Sequence, residues 1–235
     1  QARNLTLIPA STFTSIIQRV TYPMMSKLQE NNELLKNSYL LTLRLSAAVI
    51  FPILIGIAVI SKPFINLTLG HEWSQASLLM SILAFGFMLY PIHSINLNLL
   101  QVKGRSDLFL RLEIIKKIIG TIILIISIPF GLIAICIGIV IQSHIALLIN
   151  TYYTSSIINI TIKDQFNALF PIWLISIAVG TISWLMTNTI TNNIYHIICI
   201  MVLIIPSYIL IIFFAQKDLF FYLYNATFKK ELLHD

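Results

Sequence analysis

The residues of this sequence best suited to chemistry lie at 104–117, GRSDLFLRLEIIKK, where Glu113, Lys116 and Lys117 follow one another at helical spacing. Lys116 comes three residues and Lys117 four residues after Glu113, so all three share a helix face with Gly120 and Thr121. Two ammonium groups beside a carboxylate that orients them would attract an anionic head group, and Arg111 adds to the same field. The same positions also suit long side chains that snorkel to a membrane interface, and the pattern allows both readings.

Arg19 is the second candidate. It falls on one side of an amphipathic segment with Ser11, Thr12, Ser15, Gln18 and Tyr22, while Phe13, Ile16, Ile17 and Val20 fall on the other. It sits about six residues, or roughly 9 Å, from the segment's end. A guanidinium there can hold a pair of phosphate oxygens, or it can snorkel or bind a carbonyl. His93 and His144 lie within apolar runs, where each could relay protons near neutral pH or serve as a hydrogen-bonded structural residue.

No nucleophile–base pair, metal-ligand spacing or phosphate-cradling glycine loop is present, so no catalytic residue, metal site or cofactor is assigned and an enzyme is disfavoured. Cys136 and Cys199 lie inside apolar runs with no ligand-type neighbour and read as small buried hydrophobes.

These residues must be held by membrane helices. The chain has 235 residues, of which 57% are hydrophobic and 10% charged, with a mean hydropathy of +0.88. No soluble domain of this size presents such a composition to water, and the apolar runs of about twenty residues suit helices rather than barrel strands. The expected fold is an all-α polytopic membrane helix bundle. A net charge of +6 would suit nucleic acid in a soluble protein. Here the basic residues flank apolar runs, and nucleic-acid binding is not expected.

Seven spans are expected: an amphipathic one at 6–25, then 39–60, 76–100, 108–128, 132–153, 168–186 and 194–214. A polar loop at 26–38 separates the first two. Pro52 is placed to kink the second, and Trp73 to anchor a turn at the interface. Pro129, Phe130 and Gly131 allow only a tight turn, so the fourth and fifth spans pack antiparallel. The last two spans carry no Lys, Arg, Asp or Glu, and the tail at 215–235 mixes aromatics with Lys217, Lys229 and Lys230 as a membrane-surface segment does. Residue 1 is Gln and no signal-peptide pattern follows, so the chain is read as lacking an N-terminal part.

Alternation of the spans puts Lys27, Lys36, Arg44, Lys103, Arg105, Arg111, Lys163 and the tail lysines on one side, against Lys62 on the other. By the positive-inside bias the first side, with the C-terminus, is cytoplasmic.

Four stretches taken in order, QARNLTLIP, RVTYPMMSKLQ, LTLGHEW and GRSDLFLRLEIIKK, carry a resemblance to the bacterial polysaccharide flippases of the Wzx type. These belong to the superfamily that also holds multidrug and lipid-precursor exporters. The resemblance extends to about residue 225 and points to the lipopolysaccharide and colanic-acid (O-antigen) branch. It implies the C-terminal half of a 12–14-helix, two-lobed transporter, with 1–154 most of one lobe, 155–214 an accessory helix pair and 215–235 a cytoplasmic tail. The implied activity is transfer of a lipid-linked (undecaprenyl-pyrophosphate) oligosaccharide across the bacterial inner membrane, without a cofactor. Partners implied with it are the lipid bilayer and the polysaccharide polymerase and chain-length machinery. Arg19, Arg111, Glu113, Lys116 and Lys117 lie in the matching stretches. A multidrug cation antiporter would want buried acids, and only Glu113 lies within a span. A membrane-bound polysaccharide polymerase or ligase would want a large extracytoplasmic loop, and the break at 62–75 is modest.

Overall fold

The computed structural model describes residues 2–190 and 192–215, and all regular structure among them is helical. The tail expected at the membrane surface, with Lys217, Lys229 and Lys230, lies outside the described residues. The helices are α1 (Ala2–Lys27), α2 (Asn32–Thr68), α3 (Ser74–Phe87), α4 (Tyr90–Val102), α5 (Ser106–Ser127), α6 (Gly131–Ser155), α7 (Ile162–Thr187) and α8 (Asn193–Ala215).

Helix α2 is the spine. It has 37 residues and packs against α1, α3, α4, α7 and α8. It begins well before the apolar run because Asn31 caps it, its Oδ1 accepting from the N–H groups of Glu33 and Leu34 at 3.1 Å each. The polar loop expected at 26–38 therefore shrinks to a short turn, and α2 continues through Pro52 and Pro63 to Thr68. The third expected span is divided at Met88 and Leu89 into α3 and α4, with a proline in the first turn of α4.

Five stretches of the described residues are long and apolar enough to cross a membrane: Asn32–Thr68, His71–Val102, Ser106–Ser155, Ile162–Thr187 and Asn193–Leu210. The third of these is a hairpin. A Cβ on Gly120 of α5 would meet Gln142 of α6, and one on Gly138 of α6 would meet Ser127 of α5, so the two helices run antiparallel. Gly131 makes the reversal with φ +85°, a conformation that L side chains rarely adopt.

The first expected span, now α1, has 26 residues and falls outside those five stretches. Its buried stripe is Thr6, Ala10, Thr14, Thr21 and Met25. Thr6 and Thr14 satisfy their hydroxyls on backbone carbonyls four residues back, at 2.9 and 2.7 Å, which lets a polar helix pack on apolar neighbours. Its other side leaves Ile8, Ile16 and Val20 exposed.

The main core joins α2 (Leu43, Ala47, Phe51, Leu54) to α3 (Leu83, Ala84), α4 (Ile92, Ile95, Leu99) and α7 (Leu169, Ile172). A second core joins Val179 of α7 to Ile200, Ile204 and Tyr208 of α8. Buried polar ties close one end of the bundle. The Tyr39 hydroxyl lies 2.8 Å from Asn96 Oδ1 and 2.7 Å from Gln165 Oε1, its single proton shared between them, and Thr154 Oγ1 donates to Asn96 Oδ1 at 2.8 Å. At the same end Lys103 donates to Gln29 O at 2.6 Å and Asn32 Oδ1 at 2.7 Å, and Lys36 pairs with Asp164 at 3.7 Å. The three short breaks rich in basic residues are thus gathered at one end of the bundle.

Candidate functional site

Four helical regions converge on an open cleft of about 620 Å³. Helix α1 contributes Ser11, Thr14, Ser15 and Gln18, and the α3–α4 segment contributes Phe87, Tyr90, His93 and Ser94. From α5 come Glu113, Lys116 and Lys117, and from α6 come Gln142 and Ser143. Residues from spans this apolar place so many hydroxyl, amide and charged groups together only where they face protein or a watery space.

The cleft exists because α5 touches the bundle mainly through α6. Leu108 and Leu112, with Leu100 of α4, anchor its first turns. Beyond them the helix face that carries Glu113, Lys116 and Lys117 lines the gap opposite α1. The turn feeding α5 is set by Gly104, whose φ of +68° is left-handed, and by an Arg105–Asp107 pair at 3.0 Å.

Within the cleft Lys116 Nζ and Glu113 Oε1 form an ion pair of 2.5 Å, and the Lys116 side chain is only 12% exposed. Lys117 is exposed and has no ion-pair partner among the described residues. His93 is held at both ring nitrogens. Asn150 Nδ2 lies 3.3 Å from Nδ1, and an amide nitrogen can only donate, so Nδ1 accepts and the proton sits on Nε2. That nitrogen then donates to Ser143 Oγ at 3.1 Å, and Ser143 donates to Gly86 O at 2.8 Å. The result is a neutral imidazole locked into a chain of hydrogen bonds that joins α3, α4 and α6.

The other sequence candidates lie elsewhere. Arg19 and Arg111 are exposed and do not line the cleft; Gln18, beside Arg19, does. His144 lines a separate apolar cavity of about 260 Å³ with Phe166, Phe170 and Trp173, and its Nδ1 donates to Val140 O at 2.9 Å. The two histidines therefore do not share a cavity. Cys136 is buried and Cys199 partly buried, both unpaired, and no group of three or more metal-ligating side chains occurs among the described residues. Ser94, Gln142 and Ser143 belong to polar faces that the sequence sets inside its spans, but it does not single them out as individual site residues. Their polarity inside apolar spans was the available signal.

Residues 1–78 match the family described as "Polysaccharide biosynthesis protein". The teichuronic acid biosynthesis protein TuaB of Bacillus subtilis (strain 168) is 26% identical over 184 residues, covering 78% of this chain and 38% of that protein. The chain is thus similar to proteins of polysaccharide biosynthesis. An uncharacterized membrane protein in the cps region of Klebsiella pneumoniae is 28% identical over 169 residues, 71% of this chain and 35% of that protein. The lipopolysaccharide biosynthesis protein WzxC of Escherichia coli (strain K12) is 27% identical over 115 residues, 49% of this chain and 23% of that protein. These similarities support the Wzx-type resemblance read from the sequence. No solved structure matches the chain. This multi-pass membrane chain thus aligns with between 23% and 38% of these relatives' length. The matched family region covers α1, α2 and the first residues of α3, so the cleft residues of α1 fall inside it and those of α5 and α6 beyond it.

Proposed function

We propose that the cleft is this chain's share of a pathway that moves lipid-linked oligosaccharides from the inner to the outer leaflet of the bacterial inner membrane by alternating access. The observation that carries the reading is the convergence of polar side chains from four helical regions, with two lysines among them, in a bundle whose exposed surface carries many large apolar side chains. Lys117, with Lys116 beside it, receives the diphosphate, while the prenyl chain stays in lipid and the hydroxyls, amides and Tyr90 replace water around the sugars. Arg19 and Arg111 serve at the mouth, drawing the anion in from the cytoplasmic side.

In this reading α1–α6 form most of one transporter lobe and α7–α8 are an accessory pair packed on α2, with the C-terminus in the cytoplasm. The chain acts as a transporter rather than an enzyme. Cation antiport is the weaker reading, because the acid facing the cleft, Glu113, is already paired with Lys116.

The test is a Lys116→Ala/Lys117→Ala double substitution in the intact protein in cells. Surface polysaccharide should fall at least tenfold while lipid-linked repeat units accumulate. Normal surface polysaccharide at normal protein abundance would overturn the proposal.

A further inference from the structure

Of the polar groups that line the cleft, Gln18, Tyr90, Ser94, Lys117 and Gln142 have no side-chain hydrogen-bond or ion-pair partner among the described residues, and the others are held. Ser11, Thr14 and Ser15 donate to carbonyls of their own helix at 3.1, 2.7 and 2.8 Å. His93 and Ser143 hold each other, and Lys116 holds Glu113. Gln142 has no hydrogen-bond partner among the described residues. On the facing helix Ser94, 7% exposed, also lines the cleft with a buried Oγ that has no partner among the described residues.

Gln142 is seated by Gly120. A Cβ at position 120 would collide with the Gln142 carboxamide, whose Nε2, Cδ and Oε1 are the three nearest atoms. Glycine inside a helix is less favourable than alanine. The missing methyl group is what lets the amide rest against α5 at this position. Gly120 is four residues beyond Lys116, which puts the amide about 6 Å deeper along α5 than the turn that carries the lysines.

We infer that Gln142 reads the sugar joined directly to the phosphate group, with Gly120 as its positioning residue; this rests on the reading of the cleft as a pathway for lipid-linked oligosaccharides. A carboxamide sets a donor beside an acceptor, which matches two neighbouring ring hydroxyls, each able to donate and accept. A phosphate only accepts and is served by the lysines. With the diphosphate at Lys116 and Lys117, the next group along the ligand reaches the depth of Gln142, and Ser94 offers it a further hydroxyl. Binding supplies the partners that both side chains lack in the protein.

The experiment compares two probes on the intact protein in nanodiscs: a short prenyl diphosphate, and the same compound bearing one sugar on its terminal phosphate. Wild type should bind the sugar-bearing probe more tightly. Gln142→Leu and Gly120→Ala should each weaken that probe about tenfold while changing affinity for the sugarless probe by less than about twofold. Gly120→Ala should keep full thermal stability, because the atoms it displaces end a flexible side chain and alanine favours the helix. Unchanged affinity for the sugar-bearing probe in both variants, or equal loss of both probes, overturns the assignment of Gln142 while the pathway reading stands. A wild-type protein that binds neither probe overturns both.

Discussion

Lys116 and Glu113 are joined by a 2.5 Å ion pair one helical turn apart on α5, while Lys117, which lines the same cleft, has no such partner among the described residues. The carboxylate therefore cancels one lysine and leaves the other to a ligand. Lys117→Ala should weaken binding of a prenyl diphosphate about tenfold, the scale of a charge-assisted hydrogen bond. Glu113→Gln should tighten it by freeing Lys116. Both effects should shrink as salt is raised, since the cleft is open to water. Titration of the probe at low and high ionic strength checks all three outcomes.

Arg19 and Arg111 are exposed and stand off the cleft. Charges outside a binding site act on encounter more than on residence. Arg19→Ala and Arg111→Ala should accordingly slow association of the anionic probe and leave its dissociation rate close to wild type, as stopped-flow binding would show. A faster dissociation would mean that these side chains touch the bound ligand.

Much of this arrangement was legible in the sequence. The GRSDLFLRLEIIKK stretch placed Glu113, Lys116 and Lys117 on one face, and the tight turn at Pro129 to Gly131 required the α5–α6 hairpin. The helix ends were less legible, because hydropathy reports the apolar middle of a helix rather than its length. Asn31 as a cap for α2 and the Thr161–Asp164 capping box of α7 are local polar signals at those ends. Pro91 likewise marks the start of α4, since proline suits a first helical turn and stops a preceding helix. The tie between His93 and Asn150 joins positions far apart in sequence, and packing alone brings them together.

His93 should behave as a clamp between helices. His93→Phe leaves Asn150 Nδ2 without its acceptor and Ser143 with Gly86 O alone, and should lower stability by about 1–3 kcal/mol, whereas His93→Gln, which still donates and accepts, should restore part of the loss. Thermal unfolding in detergent checks this. Full stability in His93→Phe would show that the chain of hydrogen bonds contributes nothing.

Tyr39 is fully buried and its hydroxyl meets Asn96 of α4 and Gln165 of α7. Tyr39→Phe leaves the Gln165 carbonyl without its donor while Asn96 keeps Thr154. A loss of about 1–3 kcal/mol is expected, and loosening of the start of α7 should appear as faster amide exchange there.

Gly180 of α7 packs so closely on α2 that a Cβ there would strike Ile55. Small residues at such crossings let membrane helices approach. Gly180→Val should destabilise the protein by about 1–3 kcal/mol through overpacking. Ile55→Ala, combined with it, should recover part of that loss.

The central claim is that the lysine-bearing cleft carries lipid-linked oligosaccharide across the membrane. Its most direct test is leaflet transfer of a defined lipid-linked oligosaccharide by the intact protein in proteoliposomes, compared between wild type and Lys116→Ala/Lys117→Ala. Transfer by wild type and at least a tenfold slower rate in the double variant is the predicted result. Equal rates for the two proteins would contradict it.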